Sequence, residues 1–233
     1  MLLFFITSCK SLIPILLKQK QVDRISKTDK SVKNLYLFDF DGTLYTSTPK
    51  LKYKANKAQE KCLKKHLDKE NYKKEITYKE FVKKYTFPFY GLIRLGHDPH
   101  TVLNETVNKV FKNFKLEISD KIVEKIRNLP GDKMILTNNL AEKVKDIIND
   151  SKLKDIFTFV IGPDFYSKDF ISKPSKNVFH ILNNKFKNDL QYENIYFFDD
   201  ERKNVEEGKL VKWISIECTF KEMFEKLSKL NKN

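Results

Sequence analysis

Apolar and polar positions follow two different periods along the chain. Short continuous apolar runs of strand length fall at 35–40 (LYLFDF), 134–137, 157–161, 195–198 and 213–216. A run apolar at every position, closed by carboxylates or hydroxyls, predicts a parallel strand buried on both faces. Between these runs, apolar residues recur at helical spacing over 141–149, 175–186 and 219–230. Strand alternating with helix predicts an α/β fold, a Rossmann-like parallel sheet with helices on both faces.

The first and second runs are separated by about 90 residues, far more than a single crossover needs. Helical periodicity at 55–67, 77–84, 99–114 and 120–128 predicts a helical cap inserted after the first strand. The expected division is a leader or tail over 1–33, a core from 34–48 and 120–233, and a cap over 49–119, with hinges near 47–50 and 116–120.

Residues 1–33 hold seven Lys or Arg against two Asp. The apolar run 2–6 is too short for a membrane span of ~20 residues. Residues 6–9 read weakly as a lipoprotein cleavage box, and the acid-poor basic leader as a presequence. The favoured expectation is an extra N-terminal helix docked on the domain, or a tail.

Composition changes the picture in two places. The 233 residues carry a net charge of +14, which suggests a nucleic-acid surface until the basic residues are sorted. Arg occurs at four positions of 45, so the charge is lysine spread along the chain, without the guanidinium forks that read phosphates and bases. Nucleic acid is therefore a disfavoured partner. Three separated cysteines, Cys9, Cys62 and Cys218, argue against a disulfide framework and for a reducing, cytoplasmic compartment.

Candidate chemistry lies at the carboxyl ends of the strands, where open parallel sheets bind ligands. Asp39 and Asp41 stand two apart, on one side of the chain, before a turn at Gly42. Carboxylates so placed need a cation or a shared proton, as in a magnesium site with a nucleophile and a proton shuttle. A surface turn is the plainer alternative. The second run ends in Thr137-Asn138-Asn139, where a hydroxyl and an amide, Thr137 and Asn138, serve as phosphoryl-oxygen donors or as a helix cap. Lys173-Pro174 opens a helix with a lysine aimed at the cleft, and Asp199-Asp200 closes the fourth run, with Asn204 following.

Taken in this order, the four motifs resemble the haloacid dehalogenase-like hydrolase superfamily, from about 34 to 230. The resemblance implies Mg²⁺ and an aspartyl-phosphate intermediate. Asp39 would attack phosphorus, and Asp41 would protonate the leaving oxygen and then activate water. Thr137 and Lys173 would hold the phosphoryl group. Asp200 would be the main metal ligand, with Asp199, Asp39 and the Asp41 carbonyl assisting. Asn204 stands where many members carry a further acid. The second acid, Asp41, favours phosphoryl transfer over dehalogenation.

Tyr90-Gly91-Leu92, DFDGTLY and Tyr196 to Asp200 look like the pyrimidine 5′-nucleotidase group, although Gly42 replaces a frequent Asn. That likeness implies a pyrimidine nucleoside 5′-monophosphate as the small phosphorylated substrate, met by Thr43, Tyr45, Tyr90 and Arg94. The alternatives are a sugar-phosphate or phosphoglycolate-type substrate, a nucleic-acid end, or a basic binding protein on the same core.

Overall fold

A computed structural model describes residues 11–67 and 78–230. The run 2–6, the box at 6–9 and the start of the helix expected from Thr77 lie outside the described residues. Six strands form one sheet: β1 (Ile13–Leu16), β2 (Asn34–Phe38), β3 (Asp132–Leu136), β4 (Phe159–Gly162), β5 (Asn194–Asp199) and β6 (Ile214–Glu217). Their order is β1-β4-β3-β2-β5-β6, with every neighbouring pair parallel.

The expected apolar runs become β2 to β6; both faces of β2 to β5 are covered, whereas β6 lies at the edge with Ile214 exposed. Leu35 and Leu37 pack on one face with Met134, Leu136, Phe197 and Trp213. Tyr36 and Phe38 pack on the other with Ile135, Val160 and Phe198. Register pairs Tyr36 with Tyr196 and Phe38 with Phe198, and in each pair the rings stack at 4.8 Å. Each fully buried Leu or Phe side chain contributes ~1.5–3 kcal/mol of transfer free energy.

The leader expectation is corrected by β1. At Ile13–Leu16, in place of a helix or tail, the chain adds the edge strand beside β4; a short helix, α1 (Gln19–Val22), follows it. Pro14 disguises this strand, since proline lacks the N–H of a central strand and is tolerated at an edge. Ile15 is fully buried there.

Between β2 and β3 the chain inserts helices: α2 (Pro49–Leu67), α3 (Tyr78–Tyr85), α4 (Pro88–Arg94), α5 (Pro99–Leu103), α6 (Lys109–Phe111) and α7 (Asp120–Arg127). A π turn, Asn104–Asn108, runs between α5 and α6. Helix α4 is hidden in the sequence because Pro88 to Ile93 are all buried, which erases amphipathic contrast. Helix α7 begins where Ser119 Oγ accepts from Ile122 N, and it packs against α11 (Met223–Leu230). The remaining crossovers are α8 (Ala141–Asn149), α9 (Lys176–Asn183) and α10 (Arg202–Leu210).

Candidate active site

The site grows from the ends of β2, β3 and β5. Asp39 follows β2 directly and stays in register, its N–H donating to Phe198 O at 2.8 Å. The chain then turns at Gly42, φ +93°, where a Cβ would come within 2.1 Å of Asp200 Oδ2. Only glycine meets both conditions, which gives the Gly42 departure a local cause. Thr43 Oγ1 donates to Cys218 O at 3.3 Å, tying this turn to the chain after β6.

Lys173 joins the two acidic strand ends. Its Nζ donates to Asp39 Oδ1 at 2.8 Å and to Asp199 Oδ2 at 2.5 Å, all three side chains being buried. Burial works against the ammonium, but the Asp199 and Asp39 carboxylates outweigh it and hold its pKa above the ordinary lysine value. Asn138 fixes the backbone of the lysine: its Oδ1 accepts from Lys173 N at 2.8 Å and its Nδ2 donates to Lys173 O at 2.9 Å. The Lys173–Pro174 peptide is cis.

Asp199 is engaged at both oxygens, since Oδ1 also accepts from Asn204 Nδ2 and Glu201 N, each at 2.9 Å. Asn204 thus supports Asp199. Asp200 is less buried, and desolvation with the Asp199 and Glu201 charges raises its pKa to about 6. Burial also lifts Asp39 well above the carboxylate range; Lys173 opposes the shift, while Asp199 and Asp41 add to it.

Asp41 is held apart from the lysine. Tyr45 OH donates to its Oδ1, and Asn139 Nδ2 donates to its Oδ2 at 3.0 Å. Burial raises its pKa, and these two donors pull it back in part. Tyr45 is itself raised by burial and by Asp41, so its hydroxyl remains a donor. Asn139 belongs to the Thr137-Asn138-Asn139 strand end, but the sequence gives it no role of its own.

A cavity of about 720 Å³ opens between these groups and the inserted helices. Asp39, Asp41, Tyr45, Asn138, Lys173, Asp199 and Asp200 reach it. From the cap it is faced by Asn56 and Gln59 of α2, by Phe87 and Phe89, and by Phe111 of α6. Four expected substrate contacts lie off its wall. Thr43 and Thr137 are fully buried, and Thr137 Oγ1 accepts from Asn139 N at 3.0 Å. Tyr90 OH donates to Asn138 O at 2.7 Å, its ring packed among Phe89, Phe165 and Phe170. Arg94 donates to Phe170 O at 3.0 Å and lies over the Phe170 ring.

The donor set suits a hard divalent cation. Carboxylate oxygens of Asp39, Asp199 and Asp200 lie within 4.8 Å of one another. Burial first, and the neighbouring carboxylates second, raise the pKa of Asp39 and Asp200, and a bound cation would offset both effects.

This arrangement is that of a hydrolase built on an acidic parallel-sheet edge, and the family comparison agrees. The haloacid dehalogenase-like hydrolase model matches residues 33–211, and the chain belongs to that family. Among solved structures, CbbY from Rhodobacter sphaeroides in complex with phosphate is similar at 11% identity, covering 78% of this chain and 84% of that one, TM-score 0.49. The HAD-hydrolase YfnB from Bacillus subtilis, bound to magnesium, shares 18% identity over 85% of this chain and 100% of that one, TM-score 0.48. The L-2-haloacid dehalogenase from Xanthobacter autotrophicus shares 15% over 78% and 75%, TM-score 0.44. No curated protein sequence gives a significant match. Among the described residues, no helix is long and apolar enough to cross a membrane.

Proposed function

We propose that the chain is a Mg²⁺-dependent phosphatase that hydrolyses a small phosphate monoester through an aspartyl-phosphate on Asp39. The observation that carries this reading is the separate handling of the two acids at the end of β2. Asp39 is bound to Lys173, whereas Asp41 is bound to Tyr45 and Asn139.

With Oδ1 held by Lys173, the other Asp39 oxygen attacks phosphorus in line with the ester oxygen. Asp41, its pKa lifted by burial, gives its proton to the leaving oxygen and then takes one from the water that attacks the phospho-Asp39. Lys173 offsets the charge spread over the equatorial oxygens. Asp39, Asp200, Asp199 and the Asp41 carbonyl are the groups to hold Mg²⁺, which when bound neutralises phosphoryl charge. Asn138 keeps Lys173 in place by its paired backbone bonds.

The preferred substrate is a pyrimidine nucleoside 5′-monophosphate. The cavity supports it with aromatic faces at Tyr45, Phe87, Phe89 and Phe111 for stacking, and with the Asn56 and Gln59 amides for a base edge. Gln59 Oε1 is buried and has no hydrogen-bond partner among the described residues, so it is available to such a donor. A sugar-phosphate or phosphoglycolate-type ester is the second reading, favoured by Lys52 and Lys221 on the wall, which suit another anionic group.

Purified protein is tested against nucleotides, sugar phosphates and phosphoglycolate with Mg²⁺, with EDTA and Asp39→Asn as controls. Metal-dependent release from UMP or CMP, lost in Asp39→Asn, supports the reading. Preference for a sugar phosphate keeps the chemistry and overturns the nucleotide assignment. Activity surviving in Asp39→Asn removes the nucleophile.

A further inference from the structure

Away from the acidic edge, the cap gathers three side chains of different donor chemistry. Cys62 and His66 stand four residues apart on α2 and therefore share a face. Glu105 meets them from the π turn Asn104–Asn108. A sulfur, an imidazole nitrogen and a carboxylate oxygen from these residues all lie within 4.8 Å of one another.

The Cys62 thiol is buried, with its sulfur close to the Glu105 carboxylate. His66 Nε2 is buried and lies 3.3 Å from Glu105 Oε2, yet it makes no hydrogen bond among the described residues, so the two are not aligned as donor and acceptor. Lys65 Nζ binds the other carboxylate oxygen, Oε1, and steadies Glu105 from outside. The His97 ring packs edge-on against His66 at 4.9 Å between centroids, fixing the imidazole plane. Helices rarely take a π turn, and such turns recur at functional sites.

We propose that Cys62, His66 and Glu105 form a Zn²⁺ site that ties α2 to the π turn, with water as fourth ligand. Thiolate, imidazole and carboxylate together suit a borderline cation with tetrahedral preference and are a poor set for Mg²⁺, which takes oxygen ligands. Thiolate and carboxylate balance the two positive charges, and the thiol proton leaves to solvent as the metal binds. Gln59, one turn before Cys62, and Thr106, next to Glu105, both line the cavity. The metal would therefore fix the spacing of two elements of the cavity wall. This site is independent of the hydrolase chemistry.

The test uses the purified full chain, stripped of metal, in excess Mg²⁺ and titrated with Co²⁺. One equivalent is expected to produce sulfur-to-cobalt charge-transfer absorption that added Zn²⁺ abolishes. Cys62→Ser should lose the absorption and Cys218→Ser keep it. His66→Gln and Glu105→Gln, which leave the thiol in place, should each weaken Zn²⁺ binding by more than the ~10–100-fold typical of outer-shell partners. Their Zn²⁺ affinities decide the question if Cys62→Ser fails to fold. The proposal is overturned if the folded wild type shows no charge transfer, if the absorption survives Cys62→Ser, or if both glutamine variants bind Zn²⁺ as tightly as wild type.

Discussion

Replacing Asp200 with asparagine removes one charge from a cluster in which Asp39, Asp199 and Asp200 crowd together beside Lys173. In the folded metal-free chain Asp200 has a pKa near 6, against 3.8 for the free group, because of burial and the Asp199 and Glu201 charges. The folded state therefore binds this proton more tightly than the unfolded state. The resulting stabilisation is complete below about 3.8 and is lost as pH rises toward 6. A full shift of this size corresponds to ~3 kcal/mol, and solvent screening at a half-buried carboxylate reduces it to about 1–2 kcal/mol. Asp200→Asn has no such proton to lose. Without metal, the variant should be more stable than wild type by about 1–2 kcal/mol at pH 7, or ~2–4 °C in Tm per kcal/mol for a chain of this size. The difference should shrink as pH falls from 7 to 5, and saturating Mg²⁺ should raise the Tm of wild type more than that of the variant. Urea denaturation of both proteins across this range, in EDTA and in Mg²⁺, measures it. A difference independent of pH, or a metal-free wild type more stable at pH 7, would refute the argument.

Other outcomes follow from the same geometry. Gly42→Ala forces a Cβ toward Asp200 Oδ2 at a positive φ, so stability should fall by ~1–3 kcal/mol in denaturant and Mg²⁺ affinity should fall in a thermal-shift titration. Tyr45→Phe removes a donor to Asp41 that is worth ~1.5–3 kcal/mol. It should lower kcat about 10–100-fold with little change in KM, and move the Asp41-dependent limb of the pH profile upward, because the lost bond lowers the Asp41 pKa. Tyr90→Phe loses the bond to Asn138 O and should cost ~1 kcal/mol of stability while leaving KM unchanged; a large rise in KM would return Tyr90 to the substrate.

The chain states its sheet more plainly than its cavity. Strands β2 to β5 announce themselves because burial on both faces demands apolar side chains at nearly every position, and the acids at their ends break that rule where ligands bind. Asp39, Asp41, Lys173, Asp199 and Asp200 are legible for that reason, and all of them reach the cavity. Strand β1 is hidden by Pro14, an edge-strand residue that reads as a strand breaker. The cap wall is harder still. Phe87 and Phe89 face the cavity while Tyr90 packs into the cap interior, yet all three occupy one aromatic run. Hydrophobic periodicity separates buried from exposed, and it carries no mark that tells a packed face from one lining a cavity. The role of Asn139 is hidden for a related reason: an amide after a strand serves equally as helix cap and as donor to Asp41.

Whether Asp39 carries the phosphoryl group is decided by trapping it. Rapid quenching during turnover of the preferred ester, followed by borohydride, reduces an acyl-phosphate to homoserine, which peptide mass spectrometry locates. Homoserine is expected at position 39, in the wild type and not in Asp39→Asn. A turning-over enzyme with homoserine at another position, or with none, would contradict this.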